Sequence, residues 1–184
     1  ICNQKEYNII FVRTFNDEII HEVDIDGLRP GDNVHCIVNW DRRYKLMRMH
    51  TATHILCSVI NKESGALITG NQLAEDKTRV DFSLEKFDKE QIQGYIEKAN
   101  DEIAKNKDVI IKFVPREEAE KFTKLAEGDY KDMDELRIIA ITDVDTQPCG
   151  GCHIKNTSEI KGIQLVSLEN KGKGRKRIYF TIKD

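Results

Sequence analysis

Two short segments of the chain carry side chains suited to holding a cation. The first is His50-Thr51-Ala52-Thr53-His54. On a helix, residues four apart lie one above the other with β-carbons about 5–6 Å apart, so two imidazoles can converge on one ion. The second is Pro148-Cys149-Gly150-Gly151-Cys152-His153. Its paired glycines allow a tight turn, after which side chains before and behind them can point the same way. His50, His54, Cys149 and His153 together offer three imidazoles and one thiolate, a donor set that suits tetrahedral zinc. Cys152 is close enough in sequence to substitute for Cys149 as the sulfur ligand.

Other readings of these residues compete. A thermolysin-like protease needs a glutamate directly after the first histidine as general base, and Thr51 stands there. Cys149-x-x-Cys152-His153 matches the attachment pattern of c-type haem, but that leaves His50 and His54 without a role. A closed structural zinc that only staples helix to loop is the stronger rival, because four protein ligands is the usual structural count.

The elements that must bring the two segments together follow from hydrophobic pattern and punctuation. Ile9 to Val12, Glu18 to Val23 and Val34 to Trp40 read as strands, with a turn at Leu28-Arg29-Pro30-Gly31-Asp32. Residues 1–40 therefore form a small all-β piece. Asp41 is placed to cap a helix, and Arg42 to Lys62 contains no Gly or Pro. Gly65 ends that helix. Leu67 to Thr69 and Arg79 to Phe82 read as a strand pair joined through Gly70 and the polar run Asn71 to Thr78. Asp88 caps a second helix to about Lys105, with Ile92, Ile96, Ala99 and Ile103 on one face. Val109 to Val114 reads as a strand, and Pro115 starts a third helix over Arg116 to Leu125. Leu136 to Ile141, Gln164 to Leu168 and Ile178 to Ile182 complete the strands. Helices scattered among short strands imply an α+β fold, with a mixed, largely antiparallel sheet packed with helices.

Composition sets outer bounds. A chain of 184 residues, 39% hydrophobic and 33% charged, can bury one real core. A net charge of −3 gives no global basic field, so any contact with nucleic acid must come from local patches. No apolar run approaches the roughly 20 residues of a membrane helix, and no leader precedes the first strand. Five scattered cysteines do not make a secreted disulfide framework, and a cytoplasmic protein is expected. The abrupt start at Ile1 suggests that something upstream is missing.

Arg48-Met49-His50-Thr51-Ala52-Thr53-His54 and Cys149-Gly150-Gly151-Cys152-His153, taken together, resemble the editing domain of alanyl-tRNA synthetase and the free-standing alanyl-tRNA editing proteins called AlaX. Leu67-Ile68-Thr69-Gly70-Asn71-Gln72 and Arg79-Val80-Asp81-Phe82 also look like the family's pattern. The resemblance runs from about Val34 to the end. No aminoacylation domain is present, so the free-standing form is the better match. Two features depart from it. The glycine-rich segment of the longer members, which lies in a β-barrel domain, is absent, and residues 1–40 look like the remnant of that barrel, ahead of an editing domain over 41–184. Cys152 stands where many relatives have threonine.

The resemblance implies hydrolysis, in trans, of the ester that joins serine or glycine wrongly to tRNA(Ala). It makes zinc the cofactor and the charged acceptor end of tRNA(Ala) the partner. Serine differs from alanine by one hydroxyl, and a pocket built to hydrogen-bond it can reject the analogue lacking it by about 10⁴–10⁵. Thr69 is the first candidate for that contact, ahead of Asn71 and Gln72, with Gln147 a weaker one. Lys171, Lys173, Arg175, Lys176 and Arg177 form the densest basic run, and Arg42 and Arg43 belong to a second cluster with Lys45 and Arg48. Both suit tRNA phosphates, although the first could equally be a solvated hairpin turn. Two rival functions remain: a noncatalytic RNA-binding module with a structural zinc, and the editing domain of a related synthetase such as the threonyl enzyme.

Overall fold

The computed structural model describes residues 1–183 apart from 17, 87, 120 and 123–132. The chain divides into two compact units, Ile1–Trp40 and Asp41–Asp184. In the first, β1 (Ile9–Phe15) and β2 (Glu18–Val23) form an antiparallel two-stranded sheet. The strand expected over Val34 to Trp40 does not form. His35 exchanges a pair of backbone hydrogen bonds with Ile1, at 2.8 and 2.9 Å, but the pairing does not propagate. An alternating pattern becomes a strand only when a partner supplies the ladder. No closed barrel occurs among the described residues.

The second unit is built around a long helix, α1 (Trp40–Ser64). Asp41 lies inside its first turn rather than capping it, where its charge still favours the positive end of the helix dipole. Met49 and every residue from Thr51 to Ile60 are buried, so the middle of α1 is enclosed on all sides rather than along one stripe. Gly65 adopts a left-handed φ of 70° and its N–H donates to Asn61 O, ending the helix as expected.

Two antiparallel sheets accompany α1. One has the order β3 (Ile68–Gln72), β4 (Thr78–Phe82), β9 (Lys176–Ile182), β8 (Ile163–Asn170). Gly70, Asn71 and Gln72 belong to β3, so the connection to β4 is shorter than the sequence suggested. The other sheet has the order β5 (Val109–Pro115), β6 (Glu135–Ile141), β7 (Asp145–Pro148). All pairings are antiparallel, and the α+β class holds.

Helix α2 (Lys89–Ala104) starts where Asp88 Oδ1 accepts the Gln91 N–H at 2.7 Å. It buries Ile92, Ile96, Ala99 and Ile103, joined by Tyr95. These side chains share one core with Met49, Ile55, Leu56 and Ile60 of α1 and with Phe82 and Phe180 of the larger sheet. A third helix, α3 (Arg116–Ala119), begins at Arg116 as expected, while Pro115 still pairs with Glu135 in β5. Part of the longer helix expected to Leu125 lies outside the described residues. No helix among the described residues is long and apolar enough to cross a membrane.

Candidate metal centre

Helix α1 and the segment after β7 meet at one cluster. The ligand atoms of His50, His54, Cys149 and His153 lie within 4.8 Å of one another, so the four are positioned to hold a metal ion. Cys149 Sγ is 3.6 Å from His50 Nε2 and 3.5 Å from His153 Nε2. The ring centroids of His50 and His54 are 5.0 Å apart, and that of His153 is 4.2 Å from His50 and 4.6 Å from His54. Cys152 is exposed and stands outside this group.

The supports of the cluster follow from local structure. Ser58 Oγ and Lys62 Nζ both donate to Val144 O, at 2.6 and 2.7 Å, and fasten α1 to the turn between β6 and β7. Strand alternation then directs Asp145, Gln147 and Cys149 to one side, and the first two are buried. Arg137, on β6, donates from Nη1 to Cys149 O at 2.6 Å and to Gly151 O at 2.8 Å, which holds the loop closed. Gly151 is required there: a β-carbon would collide with the His50 ring. Its N–H also points at Cys149 Sγ, 3.4 Å away.

Outer hydrogen bonds orient two of the imidazoles. His54 Nδ1 lies 2.9 Å from Asp145 Oδ2, which also accepts from Gln147 Nε2 at 2.7 Å. His153 Nδ1 lies 3.0 Å from Thr51 Oγ1, and that hydroxyl donates to Met47 O. A hydroxyl donating its own proton must accept from the ring, so His153 carries its proton on Nδ1. With both Nδ1 atoms engaged by outer partners, Nε2 of His54 and of His153 face Cys149 Sγ and are the atoms each ring can offer to a metal. Two imidazole nitrogens and a sulfur converging at this distance can hold a cation between them.

The electrostatics agree. Burial pushes the Cys149 thiol up, but hydrogen bonds from His153, His50 and His54 outweigh it and hold the thiol down at about 3. Burial pulls His54 down, yet Asp145 and then Cys149 raise it to about 9. His153 is depressed to about 4, chiefly by burial. In the metal-free protein, then, Cys149 is a thiolate and His54 an imidazolium beside it. Cys57, wholly buried on α1, has its thiol pushed up by burial and by Asp145 and is inert.

The remaining expected site residues are placed as follows. Thr69 is exposed and lies at an irregularity in the β3–β4 register, between the pairs Ile68↔Phe82 and Gly70↔Asp81. Asn71 and Gln72 are exposed further along β3. Gln147 is buried with its amide nitrogen on Asp145. The basic run caps the β8–β9 hairpin: Lys171 pairs with Glu169, and Lys176 is buried with Nζ on Asn170 Oδ1 and Gly172 O. Arg177 makes a two-pronged contact with Asp81 at 2.6 and 2.9 Å, while Lys173 and Arg175 are exposed. Arg42 pairs with Glu75, Arg43 is exposed, and Arg48 binds the carbonyls of Glu159, Ile160 and Lys183.

Sequence reasoning missed Asp145, Thr51 and Arg137. The first two had a signal. Asp145, Gln147 and Cys149 alternate along the chain, and Thr51 follows His50 on the helix that carries both histidines. Arg137 had none, because its role depends on the β6–β7 pairing.

Residues 136–179 match the family described as threonyl and alanyl tRNA synthetase second additional domain. The chain is 49% identical to an alanyl-tRNA editing protein AlaX-M of Methanosarcina barkeri, over 97% of this chain and 77% of that one. It is 42% identical to the AlaX-M protein of Saccharolobus solfataricus, over 91% and 72%. A likeness of 33% to the alanine–tRNA ligase of Saccharolobus islandicus spans 91% of this chain but 19% of the ligase. The chain belongs to the AlaX family.

Proposed function

We propose that the protein is a zinc-dependent hydrolase that removes serine, and to a lesser degree glycine, from wrongly charged tRNA(Ala). One observation carries this reading: four donors converge within 4.8 Å in a chain 49% identical to a protein named for alanyl-tRNA editing. Zinc is favoured by the donor set and by distance. Zinc–sulfur and zinc–nitrogen bonds of about 2.3 and 2.0–2.1 Å at a tetrahedral angle place sulfur and nitrogen about 3.6 Å apart. The two sulfur–nitrogen separations here are 3.6 and 3.5 Å.

Bound zinc would supply Lewis acidity toward the ester or its amino acid. The protein's own groups do the rest. Asp145 and Thr51 fix the two rings so that Nε2 is the nitrogen each would offer the metal, and Arg137 with Gly151 sets the loop. Thr69 is proposed to accept or donate the hydrogen bond that distinguishes serine from alanine. Irregularities in strand pairing re-aim side chains, and Thr69 is open to solvent. The amide nitrogen of Gln147 is already engaged, which favours Thr69 over Gln147. The acceptor end would lie against Lys173 and Arg175 at the hairpin tip and Arg43 on α1. Lys171, Lys176, Arg177 and Arg42 are tied to protein groups and contribute background potential. The cytoplasm, where charged tRNA is used, is the expected site of action.

The test is ester loss from serine-, glycine- and alanine-charged tRNA(Ala) mixed with the zinc-loaded protein. Rapid loss from the serine form and little from the alanine form is expected. Thr69→Val should narrow that ratio. Equal loss from all three, unaffected by zinc removal, contradicts an editing role and leaves the RNA-binding alternative.

A further inference from the structure

Asp145 is a buried carboxylate whose role is not explained by the four converging donors alone. Its side chain is 1% exposed. It receives two hydrogen bonds, from His54 Nδ1 at 2.9 Å and from Gln147 Nε2 at 2.7 Å. No lysine or arginine pairs with it among the described residues. A carboxylate buried without a cation is costly, so its position calls for a positive charge within reach. The neighbours supply one only through His54, whose other nitrogen faces the cluster. A divalent cation there would be balanced by two negative groups, the Cys149 thiolate and the Asp145 carboxylate, with the His54 ring between the second of these and the ion.

We propose that Asp145 is a positioning residue for the metal: it locks His54 in the tautomer that presents Nε2 inward, strengthens that nitrogen as a donor, and neutralises the bound ion's charge across the ring. Gln147 Nε2 steadies the carboxylate by donating to the same Oδ2 at 2.7 Å, and it sits 3.0 Å from His54 Nδ1, so the three groups form one compact cluster in which Asp145 is the acceptor. The proposal rests on the metal-centre reading above and concerns metal affinity and coordination rather than turnover. Outer carboxylates on ligating histidines are worth about 10–100-fold in metal affinity.

The experiment measures zinc affinity by competition with a chromophoric chelator, for the whole chain and for Asp145→Asn, whose folding is checked by circular dichroism. A loss of about 10–100-fold is expected. The cobalt-substituted variant should keep its thiolate-to-cobalt absorption, because Cys149 remains bound. The effect must travel through His54. Asp145→Asn should therefore weaken zinc no further in a His54→Ala background, yet still weaken it in a His50→Ala background. Should Asp145→Asn fail to fold, Asp145→Ser is measured with the same expectation. Equal zinc affinity in wild type and variant, with only thermal stability lowered, overturns the role of Asp145. So does an effect undiminished by His54→Ala. Failure of the wild-type protein to bind zinc at all is a different result and overturns the metal centre itself.

Discussion

The metal cluster and the β8–β9 hairpin are the two regions where the sequence concentrates chemistry, and the structure treats them in opposite ways. At the cluster, residues from positions 50 to 153 point inward at one spot and their outer atoms are held by neighbours. At the hairpin, five cations adjacent in sequence diverge: one pairs with Glu169, one is buried in the turn, one clasps Asp81, and two face solvent. Convergence of ligands marks a site; density of charge does not, because cations on a hairpin readily find partners inside the fold.

The largest expected effect falls on the cluster. Cys149→Ala removes the only thiolate and should weaken zinc beyond the roughly 100-fold that loss of an outer partner costs, as read by chelator competition. It should also abolish ester hydrolysis. If the ion is catalytic, the zinc-free variant keeps a cooperative fold; if it is purely structural, unfolding accompanies its loss. Gly151→Ala should come next, by about 10–100-fold in zinc affinity, because the added methyl must displace the His50 ring.

A smaller effect concerns pH. In the metal-free protein Cys149 is depressed to about 3 and His153 to about 4. Below pH 6.5 the unfolded chain binds protons at both sites that the folded chain does not, so stability falls as pH drops toward 4. Between about 6.5 and 9 the unfolded chain holds a proton on Cys149 while the folded chain holds one on His54, raised to about 9. These contributions cancel. Urea midpoints of the metal-free protein should therefore be flat across pH 6.5–9 and decline below it, and saturating zinc should raise them throughout the flat range.

The hairpin should show the weakest and most divided effects. Lys173→Ala and Arg175→Ala should leave the unfolding midpoint unchanged and each lower the salt slope of tRNA binding by about 1. Arg177→Ala should do the reverse, lowering the midpoint through the loss of its contact with Asp81. If all three variants weaken tRNA equally and leave stability alone, the hairpin is a single basic patch and does not differ from a convergent site in the way its contacts imply.

How much of this was legible follows from particular residues. The α2 face and its Asp88 cap could be read because 3.6-residue periodicity and a cap are local signals. His50 and His54 could be paired for the same reason, and the glycines beside Cys149 marked a turn. β7 was missed because Asp145-Thr146-Gln147-Pro148 has strand alternation in burial but no apolar residue to show it. Its register with β6 is what makes Asp145 a neighbour of His54, and register is not local information. Val34 to Trp40 failed in the other direction: the pattern was present and the partner was not. Asp41 was expected ahead of a helix from Arg42, and α1 begins at Trp40, two positions earlier, within the usual uncertainty where a helix begins.

The central claim is that three histidines and one cysteine share a single ion, and X-ray absorption at the zinc edge tests it most directly. The expected shell has one sulfur at about 2.3 Å and three nitrogens at about 2.0–2.1 Å, with one zinc per chain, and Cys152→Ala leaves it unchanged. A chain that takes up no zinc, or a shell with two sulfurs that reverts to one in Cys152→Ala, would contradict it.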